Sequence, residues 1–199
     1  MDGLHIIPNY ISAEDLEEIR PLLSKGLSDW RLQLVEARKK SEYAESKIKR
    51  QMMNNKVILR SGIPFSNKKL YELTTKALIN SQQLVQEFFS NVVSETKHGI
   101  TAIIEGGDLP PHIDKMVYTD GLITSNTSPM RDITTVFYLN DDYHGGEIYF
   151  PNLGLEIKPE AGSVVCFPTS EKYEHGVKKV LSGERFAISQ FWTLIADQT

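Results

Sequence analysis

A single cysteine, Cys166, stands in a chain of 199 residues, so no internal disulfide can form. It lies in the apolar run SVVCFP, where a lone thiol reads as a small buried hydrophobe. Long apolar runs are also absent, and nothing approaches the ~18 residues that a membrane span requires. The opening MDGLHIIPNY carries an acid where a secretory leader needs basic residues, so a cytoplasmic location with no membrane partner is the expectation. Nor is there an excess of positive charge: 22 Lys and Arg face 26 Asp and Glu, for a net charge of −4, and nucleic acid is not an expected partner. Oligomeric state is not written in any of these features.

What is present is a soluble composition, 40% hydrophobic and 24% charged, at a length suited to one domain spanning residues 1–199. Its character changes near residue 98. Residues 1–97 read as a mainly helical scaffold. YISAEDLEEIRPLL offers Ser12 as an N-cap with Asp15 three residues on, then Leu16, Ile19, Leu22 and Leu23 at helical spacing, interrupted by Pro21. NKKLYELTTKALINSQQLVQEFFSNVV keeps one apolar stripe from Leu70 to Val92 and predicts one long amphipathic helix. Between them the charged stretch within residues 34–55 reads as a solvated face, with substrate contact the alternative.

Residues 98–199 read as strands. ITAIIEG, ITTVFYLND, GEIYFPN, LEIKP, GSVVCFP, HGVKKV and RFAISQFWTLI are short and rich in β-branched and aromatic residues, with Gly, Pro, Asn and Asp between them. The expected fold is α+β, mainly β: a jelly roll with the N-terminal helices packed on one sheet.

Within LPPHIDKMVY, His112 and Asp114 are two apart, so one strand can present an imidazole nitrogen and a carboxylate to the same point. Among five histidines and 26 acids such a pair arises readily by chance, and its weight comes from elsewhere. His175 is the candidate third ligand, on another strand. His144 with Glu147 is a rival pair, and His5 and His98 are placed as surface or capping residues. Two imidazoles and one carboxylate form a facial triad that leaves open positions and suits non-haem Fe(II), whereas structural zinc closes all four positions and draws on cysteine. Arg185, ten residues after His175, can point into the barrel beside the metal. Its planar fork matches a carboxylate, so a dicarboxylate cosubstrate fits; the alternative is a surface pairing with Glu184.

His112, Asp114, His175 and Arg185, together with YLND, GGEIYFP, KPEAGSVVCFP and HGVKKVLSGERF, resemble the Fe(II)/2-oxoglutarate dioxygenases, specifically the prolyl 4-hydroxylase-like branch. The resemblance spans roughly residues 98–193. It implies a double-stranded β-helix, Fe(II) held by His112, Asp114 and His175, and 2-oxoglutarate and O2 as cosubstrates. It also implies the 2-oxoglutarate distal carboxylate on Arg185 with an added hydrogen bond from Thr134, and ascorbate as reductant. The implied reaction hydroxylates a C–H bond with release of succinate and CO2, on a peptidyl proline. A free amino acid or other small molecule is the alternative substrate. A non-catalytic jelly-roll binding module is the alternative of another class, and a cupin-type enzyme lacks its His-x-His pair.

The chain departs from that branch at Ile103 and Leu109, where its members carry tyrosines, and at Phe191, where they carry tryptophan. Trp192 is one position late: a bulge would bring it inward as a candidate substrate contact, and otherwise it packs outside. Residues 115–132 form a polar, turn-rich stretch that reads as a substrate lid or a plain surface loop, with Tyr118 and Arg131 as candidate substrate contacts. In GGE the glycines read as a turn and Glu147 as a structural partner.

Overall fold

The computed structural model describes residues 3–23, 58–62, 68–94, 99–115, 117–119, 122–125 and 131–195. The charged stretch within 34–55, together with His98, lies outside them. In chain order the elements are β1 (His5–Ile7), α1 (13–23), β2 (Ile58–Gly62), α2 (Lys68–Leu78), α3 (Ser81–Gln86) and β3 (Val92–Ser94). Then follow β4 (Gly99–Ile104), β5 (Leu109–His112), β6 (Val117–Thr119), β7 (Leu122–Ser125), β8 (Ile133–Tyr138), β9 (His144–Gly145) and β10 (Ile148–Phe150). Last come β11 (Leu155–Ile157), β12 (Val164–Pro168), β13 (His175–Val177), β14 (Val180–Ser182) and β15 (Glu184–Leu194).

Among the described residues the strands form four antiparallel sheets, two of them only the pairs β14-β9 and β6-β7. The major sheet runs β1-β12-β8-β15-β4-β2, with β3 also on β15; the minor sheet runs β11-β10-β13-β5. Alternation along β8 and β15 explains how one sheet serves two layers. Phe137, Phe186 and Ile188 face the helices, packing with Ile11, Leu16, Ile19, Leu23, Leu70, Leu73 and Leu78. Val136, Tyr138 and Ala187, one position off, face the minor sheet and pack with Ile148, Phe150, Val165 and Phe167. Each buried aromatic or large aliphatic side chain in these layers contributes on the order of 1.5–3 kcal/mol.

Ser12 does cap α1: its Oγ accepts from the Asp15 amide at 3.1 Å and donates to Asp15 Oδ2 at 2.9 Å. Helical residues continue through Pro21 to 23, so the expected interruption is not seen. The long helix expected over 67–93 is instead two helices and a strand. Ser81 Oγ closes α2 by donating to the Leu78 carbonyl at 2.6 Å, and Ile79 stands 74% exposed at the break. Val92 and Val93, β-branched, extend into β3 and pair with Leu194 and Thr193 of β15. Among the described residues no helix is long and apolar enough to cross a membrane.

Candidate active site

β5 and β13 pair antiparallel with His175 directly opposite His112. The two rings sit with centroids 4.5 Å apart. Asp114 lies just past the end of β5 rather than within it, after the buried Ile113. Its Oδ1 is 3.6 Å from His112 Nε2 and its Oδ2 is 3.6 Å from His175 Nε2. One ligand atom from each residue falls within 4.8 Å of the others, and this is the only such group of three among the described residues. The rival pair His144 and Glu147 therefore gathers no third ligand there.

The backbone sets the rings. His112 Nδ1 is 3.0 Å from the Pro110 carbonyl and His175 Nδ1 is 3.2 Å from the Tyr173 carbonyl. A carbonyl only accepts, so the proton sits on Nδ1 and Nε2 is turned toward Asp114. Burial lowers His175 to a pKa of about 4 against the opposing pull of Asp114, which keeps the imidazole neutral, the form that coordinates a metal. Burial alone would raise the Asp114 carboxyl. The facing His112 and His175 rings and the Thr134 hydroxyl outweigh it and hold Asp114 below the usual carboxylate range. Two neutral imidazoles and one ionised carboxylate, each oriented by a neighbour, fit Fe(II).

The triad opens into a cavity of about 240 Å³ between the two sheets. β13 and β5 supply the histidines, while β8 and β15 supply Thr134, Arg185 and Phe191. Arg185 is 3% exposed, and among the described residues no carboxylate lies in ion-pair reach of it. Its Nε donates to the Gly146 carbonyl at 3.1 Å and its Nη2 to the Tyr138 hydroxyl at 3.2 Å. Burial pushes Tyr138 up to about 12, partly offset by Arg185, so its hydroxyl keeps its proton. A desolvated guanidinium held by neutral partners is costly unless an anion arrives. The arrangement fits the distal carboxylate of 2-oxoglutarate.

The surface pairing of Arg185 with Glu184 is not observed, because successive residues of β15 face opposite ways. The same parity places Trp192. Its register with β8 runs unbroken from Ala187 to Trp192, so no bulge turns the indole inward. Trp192 is fully buried on the outer face with Val85, Val92, Ile133 and Cys166, and its indole N–H donates to Thr135 Oγ1 at 3.0 Å. It does not reach the cavity, and its expected substrate contact is corrected accordingly. Phe191 takes that place, with the Arg131 guanidinium carbon 3.6 Å from its ring centroid; both residues line the cavity. Thr134 lines it too, but its hydroxyl donates to Asp114 Oδ2 at 2.7 Å. Tyr118 has its backbone in β6, and its side chain falls outside the described residues. Two contributors went unnamed in the sequence reading, Tyr138 and Gly146. Tyr138 was within reach, since Thr134, Val136 and Tyr138 share one face of β8.

Residues 99–193, which hold the whole constellation, match the sequence profile of the 2OG-Fe(II) oxygenase superfamily. Over that stretch, just under half of the chain, it is similar to this superfamily. The oxygenase region is similar to prolyl 3-hydroxylase 1 of Rattus norvegicus, 34% identical over 94 residues, 43% of this chain and 13% of that protein. Prolyl 3-hydroxylase 2 of Homo sapiens is 36% identical over 69 residues, 32% of this chain and 10% of that protein. The chain thus spans a small fraction of the length of these relatives. Among solved structures, the viral collagen prolyl hydroxylase of Paramecium Bursaria Chlorella virus-1, in its 2OG complex, has a TM-score of 0.59 at 18% identity, covering 98% of this chain and 97% of that one. The Trichoplax adhaerens prolyl hydroxylase in complex with a hypoxia inducible factor peptide fragment has a TM-score of 0.60 at 15% identity, covering 97% and 84%. At such identities the likeness is one of fold, the double-stranded β-helix.

Proposed function

We propose that this chain is an Fe(II)- and 2-oxoglutarate-dependent hydroxylase acting on a prolyl residue of a peptide. The observation that carries the reading is the sharing of one cavity by the His112, Asp114 and His175 triad and by Arg185, a buried guanidinium with no described carboxylate partner. The prolyl substrate is supported by the prolyl 3-hydroxylase relatives and by the prolyl hydroxylase folds.

Fe(II) with 2-oxoglutarate supplies the O2-activating chemistry, in which oxidative decarboxylation yields succinate and CO2 and one oxygen atom enters the substrate C–H bond. The chain's own residues do the rest. His112, Asp114 and His175 would hold the metal. Arg185, fixed by the Gly146 carbonyl and the Tyr138 hydroxyl, orients the distal carboxylate. Ile103, Leu109, Ile148 and Val177 make the walls apolar and keep water away from the metal. Arg131, held over Phe191, offers guanidinium N–H donors to a peptide carbonyl at the same cavity.

The test begins anaerobically: Fe(II) and 2-oxoglutarate are added together and the weak visible metal-to-ligand charge-transfer band is sought. O2 is then admitted with proline-containing peptides, or with free proline, while succinate and a mass gain of one oxygen atom are measured. Band, succinate and oxidised peptide are expected. Absence of both band and succinate would remove the hydroxylase reading, and oxidation of free proline but of no peptide would shift the substrate to a small molecule.

A further inference from the structure

β8 ends at Tyr138, whose partner on β15 is Ala187, so strand pairing on that side stops just short of Arg185. One backbone bond follows, from the Leu139 amide to the Phe186 carbonyl at 3.0 Å. A side chain then takes over the ladder. Asn140 is 5% exposed; its Oδ1 accepts from the Phe186 amide at 2.8 Å and its Nδ2 donates to the Glu184 carbonyl at 2.7 Å. A backbone N–H only donates and a carbonyl only accepts, so the carboxamide fits this slot in one orientation. Asp142 Oδ1 secures it by accepting from Nδ2 at 2.6 Å.

The residue between those two anchors is Arg185. Its guanidinium is held by the Tyr138 hydroxyl and the Gly146 carbonyl, which lie before and after Asn140 on one continuous stretch of chain. Asn140 therefore ties the stretch that holds the guanidinium to the backbone that carries its stem. The same stretch presses on the turn before β15, where a Cβ placed on Gly183 would come within 3.1 Å of the Asp142 carbonyl oxygen. Asn140 does not itself line the cavity, so any effect it has on a ligand there passes through another residue.

Resting on the reading that Arg185 receives the distal carboxylate of 2-oxoglutarate, we propose that Asn140 is the positioning residue for that arginine. By clamping the peptide groups on both sides of Arg185, its carboxamide fixes the guanidinium before any ligand arrives. A bidentate fork is demanding in this respect, since a misplacement of about 1 Å can cost about 100-fold. Loss of the clamp removes no ligand contact. It frees the Arg185 backbone to drift from Tyr138 and Gly146, and so weakens only a ligand with an anionic group at that end.

The experiment is anaerobic calorimetric titration of Fe(II)-loaded wild type, Asn140→Ala and Asp142→Ala with 2-oxoglutarate and with 2-oxobutanoate, which has no distal carboxylate. Asn140→Ala adds no charge and should weaken 2-oxoglutarate binding about tenfold or more, with 2-oxobutanoate and Fe(II) affinities unchanged. Where Asn140→Ala does not fold, Asp142→Ala decides, because Asp142 is exposed and its removal loses only the bond that orients the carboxamide. That variant should melt with wild type and bind 2-oxoglutarate about two- to fivefold more weakly, again with 2-oxobutanoate unchanged. Deleting a negative charge would by itself favour an anion, so weakening reports the carboxamide. Unchanged 2-oxoglutarate affinity in the deciding variant, or equal weakening of both ligands, would overturn the positioning role and leave Asn140 a cap on β8. Wild type that binds no 2-oxoglutarate would overturn the function itself.

Discussion

Replacing Thr134 by valine separates two roles for one hydroxyl. Thr134 is 1% exposed, and its Oγ1 donates to Asp114 Oδ2 at 2.7 Å, whereas resemblance alone would assign that hydroxyl to the cosubstrate. Valine keeps the β-branched shape that β8 requires and deletes only the donor. A hydrogen bond to a charged acceptor is worth about 1.5–3 kcal/mol, and losing the outer partner of a metal ligand typically lowers metal affinity about 10–100-fold. Fe(II) affinity, read by anaerobic calorimetry, should therefore fall about 10–100-fold. Binding of 2-oxoglutarate to the metal-saturated variant should change little. Unchanged Fe(II) affinity with weakened 2-oxoglutarate binding would refute the reasoning and return Thr134 to the cosubstrate.

Three further outcomes are expected. Gly146→Ala forces a side chain onto a backbone at φ +69° and against Tyr143 and Arg185; it should destabilise the fold by about 1–3 kcal/mol in denaturant melts and weaken 2-oxoglutarate binding. Trp192→Phe removes the donor to Thr135 on the outer face and should cost about 1–3 kcal/mol of stability, with Fe(II) and 2-oxoglutarate affinities unchanged. His175 has a folded pKa of about 4 against an ordinary value of 6.5, so between these values the unfolded chain binds the proton and the folded one does not. Stability of the metal-free protein should thus fall as pH drops from 6.5 toward 4, with a flatter slope in His175→Gln.

Period-two alternation made the β half of this chain readable. The strand runs quoted from the sequence overlie β4, β8, β10, β11, β12, β13 and β15. Parity along β15 already places Arg185 and Phe191, six residues apart, on one face and Trp192 on the other. A substrate role for Trp192 required a bulge, and the unbroken pairing with β8 has none. The N-terminal half was less legible. β1, β2 and β3 are isolated strands within the stretch that reads as helical, and they form by pairing with β12, β4 and β15 of the major sheet. The helical stripe through 67–93 survived into the fold, but the local hydroxyl cap at Ser81 broke it, a detail that hydrophobic spacing does not encode. At the site, spacing named the triad and Arg185. What holds Arg185, the Gly146 carbonyl and the Tyr138 hydroxyl, depends on how the β9–β10 turn lies over β15, which only the tertiary fold supplies.

The central claim is that one cavity holds Fe(II) at one end and a dicarboxylate at the other. A crystal structure of the anaerobic Fe(II) and 2-oxoglutarate complex, with anomalous data at the iron edge, tests it most directly. A single iron peak bonded to His112 Nε2, Asp114 and His175 Nε2, with the distal carboxylate on Arg185, is the predicted result. Iron bound elsewhere, or 2-oxoglutarate bound away from Arg185, would contradict it.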